Sequence, residues 1–262
     1  MPHASPLLTV MIAAARKAAK GLRRDYGEAE ALVVSKKGAA DFVSAADIRA
    51  EQSIFEDLSK GRPKYGFVME ERGEIEGADN SNRWIVDPLD GTTNFLHGLP
   101  QFAISIGLER DRQPYAGVVY NPVTDELYWA EKGEGAFLND RRLRVSGRVD
   151  LDSALFATGL PFKGLPGRAR ALEETDRVLN ATAGVRRWGA ASLDLAFVAA
   201  GRFDAYWERG LKCWDVTAGI VLVREAGGIV SEIEGGQRPS HEGSILAANA
   251  EIYEKARALL AF

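Results

Sequence analysis

Hydrophobic residues recur at helical spacing in two segments near the start of the chain. Ser5 and Pro6 are typical of a helix N-terminus, and the apolar residues after them predict an amphipathic helix to about Arg24. Residues 43–60 repeat the helical pattern and predict a second helix. The short apolar runs GFVME and RWIVD come next, and they predict two buried strands that each end in an acidic residue.

A change of pattern divides the chain near residue 150. Before it, the segments FAISIGLE, YAGVVYNP, ELYWAEKG and GAFLND are rich in β-branched and aromatic residues, and they predict an antiparallel meander. After it, strand-like and helix-like segments alternate as far as a last helix from about Ala250. We therefore expect a layered α/β fold. Residues 1–150 would form an N-terminal α+β half and residues 151–262 a C-terminal α/β half, packed together as one unit.

Composition narrows the class of protein. The 262 residues are 46% hydrophobic and 27% charged, which is typical of an ordinary soluble chain. A formal net charge of −4 and an isoelectric point of about 5.6 argue against binding to nucleic acid or to an anionic membrane. The apolar stretch LLTVMIAAA follows no positively charged region and is too short to span a bilayer. With Cys213 as the single cysteine, we expect a reducing, cytoplasmic location.

The candidate chemistry lies in WIVDPLDGTTNF, residues 84–95. Asp87 and Asp90 stand at the end of an apolar run, where a proline stiffens the strand exit and Gly91 permits a sharp turn. Two carboxylates ~4 Å apart repel by about 4 kcal/mol at an effective dielectric of 20, so a cation, a proton or an arginine has to offset them. The amides of Gly91 and Thr92 begin a predicted helical turn that suits an anion. A phosphate ester bridged to a divalent metal satisfies both features, although the same residues also favour an ordinary turn.

Three further acids are candidates, and each has a structural alternative. Glu70 and Glu71 point to opposite faces of a strand, so one of them readily joins the motif, and we choose Glu70. Asp215 stands at a predicted helix start, where it either binds metal or complements the helix dipole. Asp47 ends the capping box SAAD, so it either caps its own helix or acts on the threonine hydroxyl, and spacing does not decide between these roles.

Together these motifs resemble the inositol monophosphatase family. The resemblance covers essentially the whole chain, through WIVDPLDGTTNFLHGLPQFAISI, the acidic pair, WDVTAG, ADFVSAAD, RRWGAASLDLAFVAAGRFDAYWE and SILAANAEIYEKARALL. It implies an α-β-α-β-α five-layer sandwich of the inositol monophosphatase and fructose-1,6-bisphosphatase type. It also implies a Mg²⁺-dependent, commonly lithium-sensitive phosphatase with two or three ions per active site, assembled as a homodimer.

The resemblance further implies a role for each motif residue. The carboxylate metal ligands are matched by Glu70, Asp87, Asp90 and Asp215, together with the backbone carbonyl of Leu89. Thr92 and Asp47 match the pair that activates the attacking water, which favours the functional role of Asp47. The phosphate cradle is matched by the amides of Gly91 and Thr92, and the contacts to sugar or cyclitol hydroxyls by Gly189, Ala190, Ala191 and Glu208.

Two residues depart from the family's usual pattern. Arg72 follows the acidic pair and adds a cation near the expected metal site, and Thr217 stands where a small alanine is usual. Neither change removes a ligand, so we expect activity to be retained. Cys213, His97 and His241 are expected to be structural, because no phosphate-binding loop accompanies the cysteine and Mg²⁺ prefers oxygen ligands to imidazole.

The sequence therefore predicts hydrolysis of inositol monophosphate, such as myo-inositol 1-phosphate, to inositol and phosphate. Nucleotide 3′-phosphates, fructose 1,6-bisphosphate and histidinol phosphate remain alternative substrates. In nucleotide- and histidinol-type relatives a lysine typically follows Asp-Gly-Thr, whereas Thr93 follows it here. A regulatory protein on the same fold, with a partner in the transcription or translation machinery, is an alternative from another class. A carboxylate-pair glycosidase needs no phosphate cradle and is weakly supported.

Overall fold

The computed structural model describes residues 4–27, 34–36 and 42–261. Within those residues the helices are α1 (Pro6–Tyr26), α2 (Ala45–Gly61), α3 (Thr92–Leu96), α4 (Arg168–Ala181), α5 (Ala191–Ala199), α6 (Cys213–Glu225), α7 (Pro239–Glu242) and α8 (Ala250–Leu260). The first ten strands are β1 (Val34–Lys36), β2 (Phe42–Ser44), β3 (Tyr65–Met69), β4 (Gly73–Ile75), β5 (Asp79–Asp90), β6 (Ala103–Arg110), β7 (Gln113–Asn121), β8 (Glu126–Glu131), β9 (Gly135–Leu138) and β10 (Arg141–Arg142). The last five are β11 (Leu155–Thr158), β12 (Gly184–Arg186), β13 (Ala205–Arg209), β14 (Ile229–Ser231) and β15 (Ser244–Ala248).

Two sheets alternate with three layers of helices. Strands β3–β10 form an eight-stranded sheet in the order β10-β9-β8-β7-β6-β5-β3-β4, and β11–β15 form a five-stranded sheet in the order β12-β11-β13-β15-β14. Helices α1 and α2 cover the outer face of the first sheet, α5 and α6 lie between the sheets, and α4 and α8 cover the second sheet. This arrangement confirms the predicted α-β-α-β-α five-layer sandwich.

The predicted elements are recovered with small shifts at their ends. The Ser5 side chain accepts a hydrogen bond from the amide of Leu8 at 3.2 Å, so the first helix begins at the predicted cap. Strands β6–β9 form the predicted antiparallel meander. The hydrophobic pattern did not predict the antiparallel pair of β1 and β2 or the short strands β4, β10 and β14. Strands of two or three residues carry too few positions for a period to emerge.

The strands separate along the chain as the two-half proposal expects. The eight-stranded sheet uses only residues 65–142, and the five-stranded sheet uses only residues 155–248. The helices between the sheets, α5 and α6, both come from the second half and pack on strands of the first. Because these helices join the sheets, we keep the division at residues 1–150 and 151–262 as a proposal about two halves of one packed unit.

Close packing of α6 on the first sheet depends on two facing glycines. Gly107 of β6 pairs with Gly117 of β7, which leaves a flat patch beneath the helix. A Cβ atom at Gly117 would lie 2.5 Å from the Ala218 carbonyl oxygen, and one at Gly107 would lie 2.6 Å from the Thr217 methyl carbon. The missing side chain at Gly107 therefore makes room for Thr217, one of the two departures from the family pattern.

Among the residues that the structure describes, no helix combines the length and apolar character that a membrane crossing requires.

We expect Gly117→Ala to lower the free energy of unfolding by about 1–3 kcal/mol, because overpacking against helix backbone cannot be relieved by a side-chain rotation. The control is Gly147→Ala, at an exposed glycine with open space around it and a φ outside the left-handed region. It should leave stability unchanged or slightly raised. Urea unfolding of both variants measures the difference, and equal stability of the two would show that α6 can move away from the sheet at no cost.

Candidate active site

Asp87 and Asp90 lie where β5 leaves the first sheet, and both are almost fully buried, at 3% and 9% exposure. Residues three apart on a regular strand point to opposite faces. The pairing of β5 with β6 is irregular between these two residues, which coincides with Pro88. A strand irregularity re-aims side chains, so both carboxyl groups can face one site.

Electrostatic interactions connect these two acids with two others from distant parts of the chain. Burial raises the pKa of Asp87 well above its usual range, and the negative charges of Glu70, Asp90 and Asp215 raise it further. Burial also raises the pKa of Asp215, with Asp90 and Glu70 among the charges that add to the effect. The carboxylates proposed as metal ligands therefore lie within electrostatic range of one another.

Each buried aspartate accepts hydrogen bonds from a nearby backbone. Asp90 Oδ2 accepts from the Ser192 amide at 2.7 Å and from the Ser192 hydroxyl at 2.5 Å. Asp87 Oδ1 accepts from the Leu89 amide at 2.9 Å. Burial raises the pKa of Asp90 to about 6, while the Ser192 donors lower it. Ser192 stands in the first turn of α5, where free amides favour an anion, and the sequence reasoning missed it.

Asp215 has the structural role that the sequence left open. Its Oδ2 accepts from the Lys212 amide at 2.6 Å, so it caps its own helix α6. The capping bond uses one carboxyl oxygen, and the negative charge still acts on Asp87. Capping and metal ligation are therefore compatible roles for this side chain.

The metal-ligand assignment has one observation against it and one for it. As the side chains stand, no three His, Cys, Asp or Glu residues within the described ranges are arranged to hold a metal ion. The chemistry of the donors nevertheless fits a hard divalent cation. They are clustered carboxylate oxygens, and burial together with the negative charges of their neighbours raises the pKa values of Asp87 and Asp215. The assignment of these carboxylates as metal ligands therefore stays a proposal.

The turn after β5 requires glycine. Gly91 has φ +93°, and a Cβ atom there would lie 2.8 Å from the Gln101 carbonyl oxygen. The Thr92 hydroxyl donates to the Leu89 carbonyl at 3.0 Å and so closes the turn that begins α3. Asn94 then donates from Nδ2 to the carbonyls of Gln101 at 2.6 Å and Trp188 at 2.7 Å. This side chain ties α3 to the segment before α5.

Asp47 is buried in the first turn of α2, a helix that packs on β5. The Thr92 hydroxyl donates to the Leu89 carbonyl in this structure, so the predicted pairing of Thr92 with Asp47 stays a prediction. The side chain of Ser44, the other end of the capping box, lies outside the described residues. The conflict between capping and catalysis at Asp47 is therefore still open.

Arg72 lies against α2. Its Nε is 3.4 Å from Glu51 Oε1, and its guanidinium carbon is 4.9 Å from the centroid of the Phe55 ring. Glu51 is buried and also accepts from the Glu71 amide at 2.8 Å. Arg72 therefore anchors the turn that follows the proposed ligand Glu70 by pairing with a carboxylate on the helix.

The residues proposed to contact hydroxyl groups border the same site from the second half of the chain. Gly189 has φ +80°, and Ala190 and Ala191 lead into α5, whose Ser192 donates to Asp90. Glu208 lies on β13, and the Tyr206 hydroxyl donates to its Oε2 at 2.5 Å. The charge of Asp90 acts on Glu208, so these candidates and the carboxylates lie in one region of the fold.

A second buried acid, Asp194, accompanies Glu208. Glu208 is half-buried as a residue, and the burial of its carboxyl group raises its pKa to about 7. Asp194 is 1% exposed, and its Oδ1 atom is buried without a hydrogen-bond partner. Burial raises the pKa of Asp194 well above its usual range, and the charge of Glu208 adds to it. Sequence reasoning missed Asp194, because its place in the apolar segment ASLDLAFVAAG gives no sign of its partner.

A layered α/β sandwich with clustered carboxylates beside a glycine turn defines a metal-dependent phosphatase class of site. The inositol monophosphatase family profile matches residues 3–261. Inositol-1-monophosphatase from Caulobacter vibrioides is 57% identical over 93% of this chain and 96% of its own length. The crystal structure of the extragenic suppressor protein suhB from Bartonella henselae has a TM-score of 0.95 at 54% identity, covering 98% of both chains. Nus factor SuhB from Escherichia coli is 44% identical over 94% of this chain and 92% of its own.

The chain therefore belongs to the inositol monophosphatase family. This is a family of metal-dependent phosphatases, and the family predicted from the motifs is confirmed.

The raised pKa of Glu208 predicts a pH dependence of stability. A carboxyl group with an ordinary pKa of 4.5 and a folded pKa of about 7 holds its proton more tightly when folded. Stability is therefore lost as the pH rises from about 4.5 through 7. Between pH 5 and pH 8 without metal, the wild-type free energy of unfolding should fall by up to about 3 kcal/mol more than that of Glu208→Gln.

Urea unfolding at four pH values in a chelator checks this expectation. Glu134→Gln, at an exposed glutamate, is the matched control and should keep the wild-type pH profile. Parallel profiles for wild type and Glu208→Gln would show that Glu208 ionises alike in the folded and unfolded chains.

Proposed function

We propose that this chain is a Mg²⁺-dependent phosphomonoesterase that hydrolyses inositol monophosphate to inositol and phosphate. The observation that carries the proposal is the placement of the buried Asp87 and Asp90 at the end of β5, within electrostatic range of Glu70 and Asp215. Relatives that are more than half identical over nearly the whole chain carry the name inositol-1-monophosphatase.

Glu70, Asp87, Asp90 and Asp215, with the carbonyl of Leu89, would hold the metal. Carboxylate and carbonyl oxygens are the ligands that Mg²⁺ accepts in proteins. When bound, the ion supplies Lewis-acid chemistry that activates water and neutralises charge on the phosphate oxygens. The Leu89 amide donates a hydrogen bond to Asp87 at 2.9 Å. Leu89 would therefore orient one metal ligand with its amide and offer its carbonyl oxygen as another.

Phosphate would lie at the turn that Gly91 and Thr92 form. Their amides stand at the start of α3, and the left-handed φ of Gly91 shapes the turn that presents them. We assign Thr92 and Asp47 the task of positioning the attacking water, as general acid–base groups that act on its proton. Gly189, Ala190, Ala191 and Glu208 would receive the hydroxyl groups of the leaving alcohol, with Glu208 as an acceptor.

A neutral polyol suits the leaving-group side better than a second phosphate does. Asp194 and Glu208 are both acidic, and Arg187 is the cation whose charge acts on both. An added phosphate would meet two carboxyl groups, whereas hydroxyl groups can donate to them. This favours inositol monophosphate over fructose 1,6-bisphosphate and nucleotide 3′,5′-bisphosphates. From family membership we also propose lithium inhibition, a homodimer and a cytoplasmic location.

Asp90→Asn should lower kcat/KM for inositol 1-phosphate by at least about 100-fold, because the loss of a ligand exceeds the 10–100-fold cost of changing an outer-shell partner. Asp152→Asn, at an exposed aspartate in the turn before β11, is the control and should match wild type. Phosphate release with a Mg²⁺ titration measures both variants. Equal turnover by Asp90→Asn and wild type would end the metal-ligand assignment.

Ser192→Ala should act on metal affinity alone. Its hydroxyl donates to Asp90 at 2.5 Å, so removal frees the carboxylate to turn without removing a ligand. We expect the half-saturating Mg²⁺ concentration to rise about 10–100-fold while kcat at saturating Mg²⁺ stays near wild type. Calorimetry of Mg²⁺ binding provides a readout besides activity. A change in kcat without a change in Mg²⁺ affinity would contradict this role.

A regulatory role is a second candidate, supported by the 44% identical relatives named Nus factor SuhB. The Asp90→Asn protein distinguishes the two roles, because it keeps the wild-type molecular surface and lacks one proposed metal ligand. Immobilised wild type and Asp90→Asn would be compared for retention of transcription and translation components from extract. Equal specific retention by both supports a binding role that is independent of catalysis, and no retention by either removes it.

A further inference from the structure

The end of β11 lies directly beside Glu208. Strand β11 runs parallel to β13, with Ala157 opposite Tyr206 and Thr158 opposite Trp207. The Thr158 hydroxyl donates to the Trp207 carbonyl at 2.7 Å, which fixes the two strand ends against each other. Gly159 is the next residue along, so its backbone faces the Glu208 side chain.

Gly159 leaves the space that the Glu208 carboxyl group occupies. A Cβ atom at this position would overlap the carboxyl carbon and both carboxyl oxygens of Glu208. The φ angle of Gly159 lies outside the left-handed region, so the backbone accepts any residue type and conformation does not explain the glycine. Any side chain at position 159 would therefore displace the Glu208 carboxyl group.

The Tyr206 hydroxyl holds the same carboxyl group from a second direction. It donates to Glu208 Oε2 at 2.5 Å, and Tyr206 itself is fully buried. Residues 206 and 208 lie on the same face of β13, which brings the ring alongside the glutamate. The Tyr206 hydroxyl bonds Oε2 and leaves Oε1 for another donor, and the direction of Oε1 follows from this hydrogen bond and from the space at Gly159.

We propose that Gly159 and Tyr206 are positioning residues that hold the Glu208 carboxylate where it accepts a hydroxyl group of the leaving alcohol, and that they thereby determine selectivity for polyol monophosphates. The inference rests on the proposed function and adds two residues that act through Glu208 and touch neither phosphate nor metal. A positioning role of this kind should affect substrates with hydroxyl groups and spare those without them.

A comparison of two substrates isolates the effect. Inositol 1-phosphate offers hydroxyl groups to Glu208, whereas phenyl phosphate offers none and reports on the phosphate and metal end. With saturating Mg²⁺, Gly159→Ala and Tyr206→Phe should raise KM for inositol 1-phosphate about tenfold, in line with a lost hydrogen bond to a charged group. Their kcat/KM for phenyl phosphate should stay within about twofold of wild type, which also shows that the variants are folded. Gly147→Ala is the matched glycine control for both substrates.

A double-mutant cycle tests whether Gly159 acts through Glu208. Glu208→Ala alone should raise KM for inositol 1-phosphate by a similar factor, and Gly159→Ala added to it should have no further effect, because the displaced group is gone. Additive effects in the double variant, or parallel losses on both substrates in Gly159→Ala, would overturn the proposal. If wild type hydrolyses phenyl phosphate but fails to turn over inositol 1-phosphate, the proposed function itself fails. The two failures are therefore distinguishable.

Discussion

The burial of neighbouring carboxyl groups is the constraint on which this structure depends. Asp87 and Asp90 are nearly inaccessible to water, and the charges of Glu70, Asp90 and Asp215 act on Asp87 as well. Ionising such groups together is costly unless a proton, a cation or donor groups offset the charge. The fold contributes amide donors from Leu89 and Ser192, which lower the cost without removing it. A site with this remaining imbalance favours a divalent cation more strongly than a surface cluster of the same acids would.

The convergence of these acids follows from how the layers pack. Asp87 and Asp90 come from the end of β5, whereas Asp215 comes from the first turn of α6, so the helix has to approach the first sheet closely. Gly107 and Gly117 face each other across β6 and β7 and remove the side chains that would keep α6 away. A packing requirement at Thr217 and Ala218, in the turn of α6 that follows Asp215, thereby contributes to the position of a proposed metal ligand.

Local sequence patterns and the resemblance of motifs predicted the main helices, the meander and the acidic residues of the site. Helical periodicity placed the two N-terminal helices, which have enough residues to show the repeat, and β-branched and aromatic segments between turns placed the meander. The acidic motif and the family resemblance identified the carboxylates. Ser192, Asn94 and Asp194 were missed, because the value of each lies in a partner about a hundred residues away or buried within the fold, such as Trp188 for Asn94 and Asp90 for Ser192. Asp47 stays undecided for a related reason, since capping and catalysis demand the same residue type at the same place.

Helix ends and the proposed ion use the same carboxyl groups. Asp90 accepts from the first turn of α5, and Asp215 accepts from the amide that precedes α6. Each of these bonds is made to one carboxyl oxygen, so a carboxyl group can keep its bond to the helix and still face an ion. Occupation of the site would then be linked to the position of α5 and α6, the two helices that join the sheets. The helix α5 also begins beside the residues assigned to the leaving alcohol. The metal end and the alcohol end of the proposed site therefore both depend on the position of this helix.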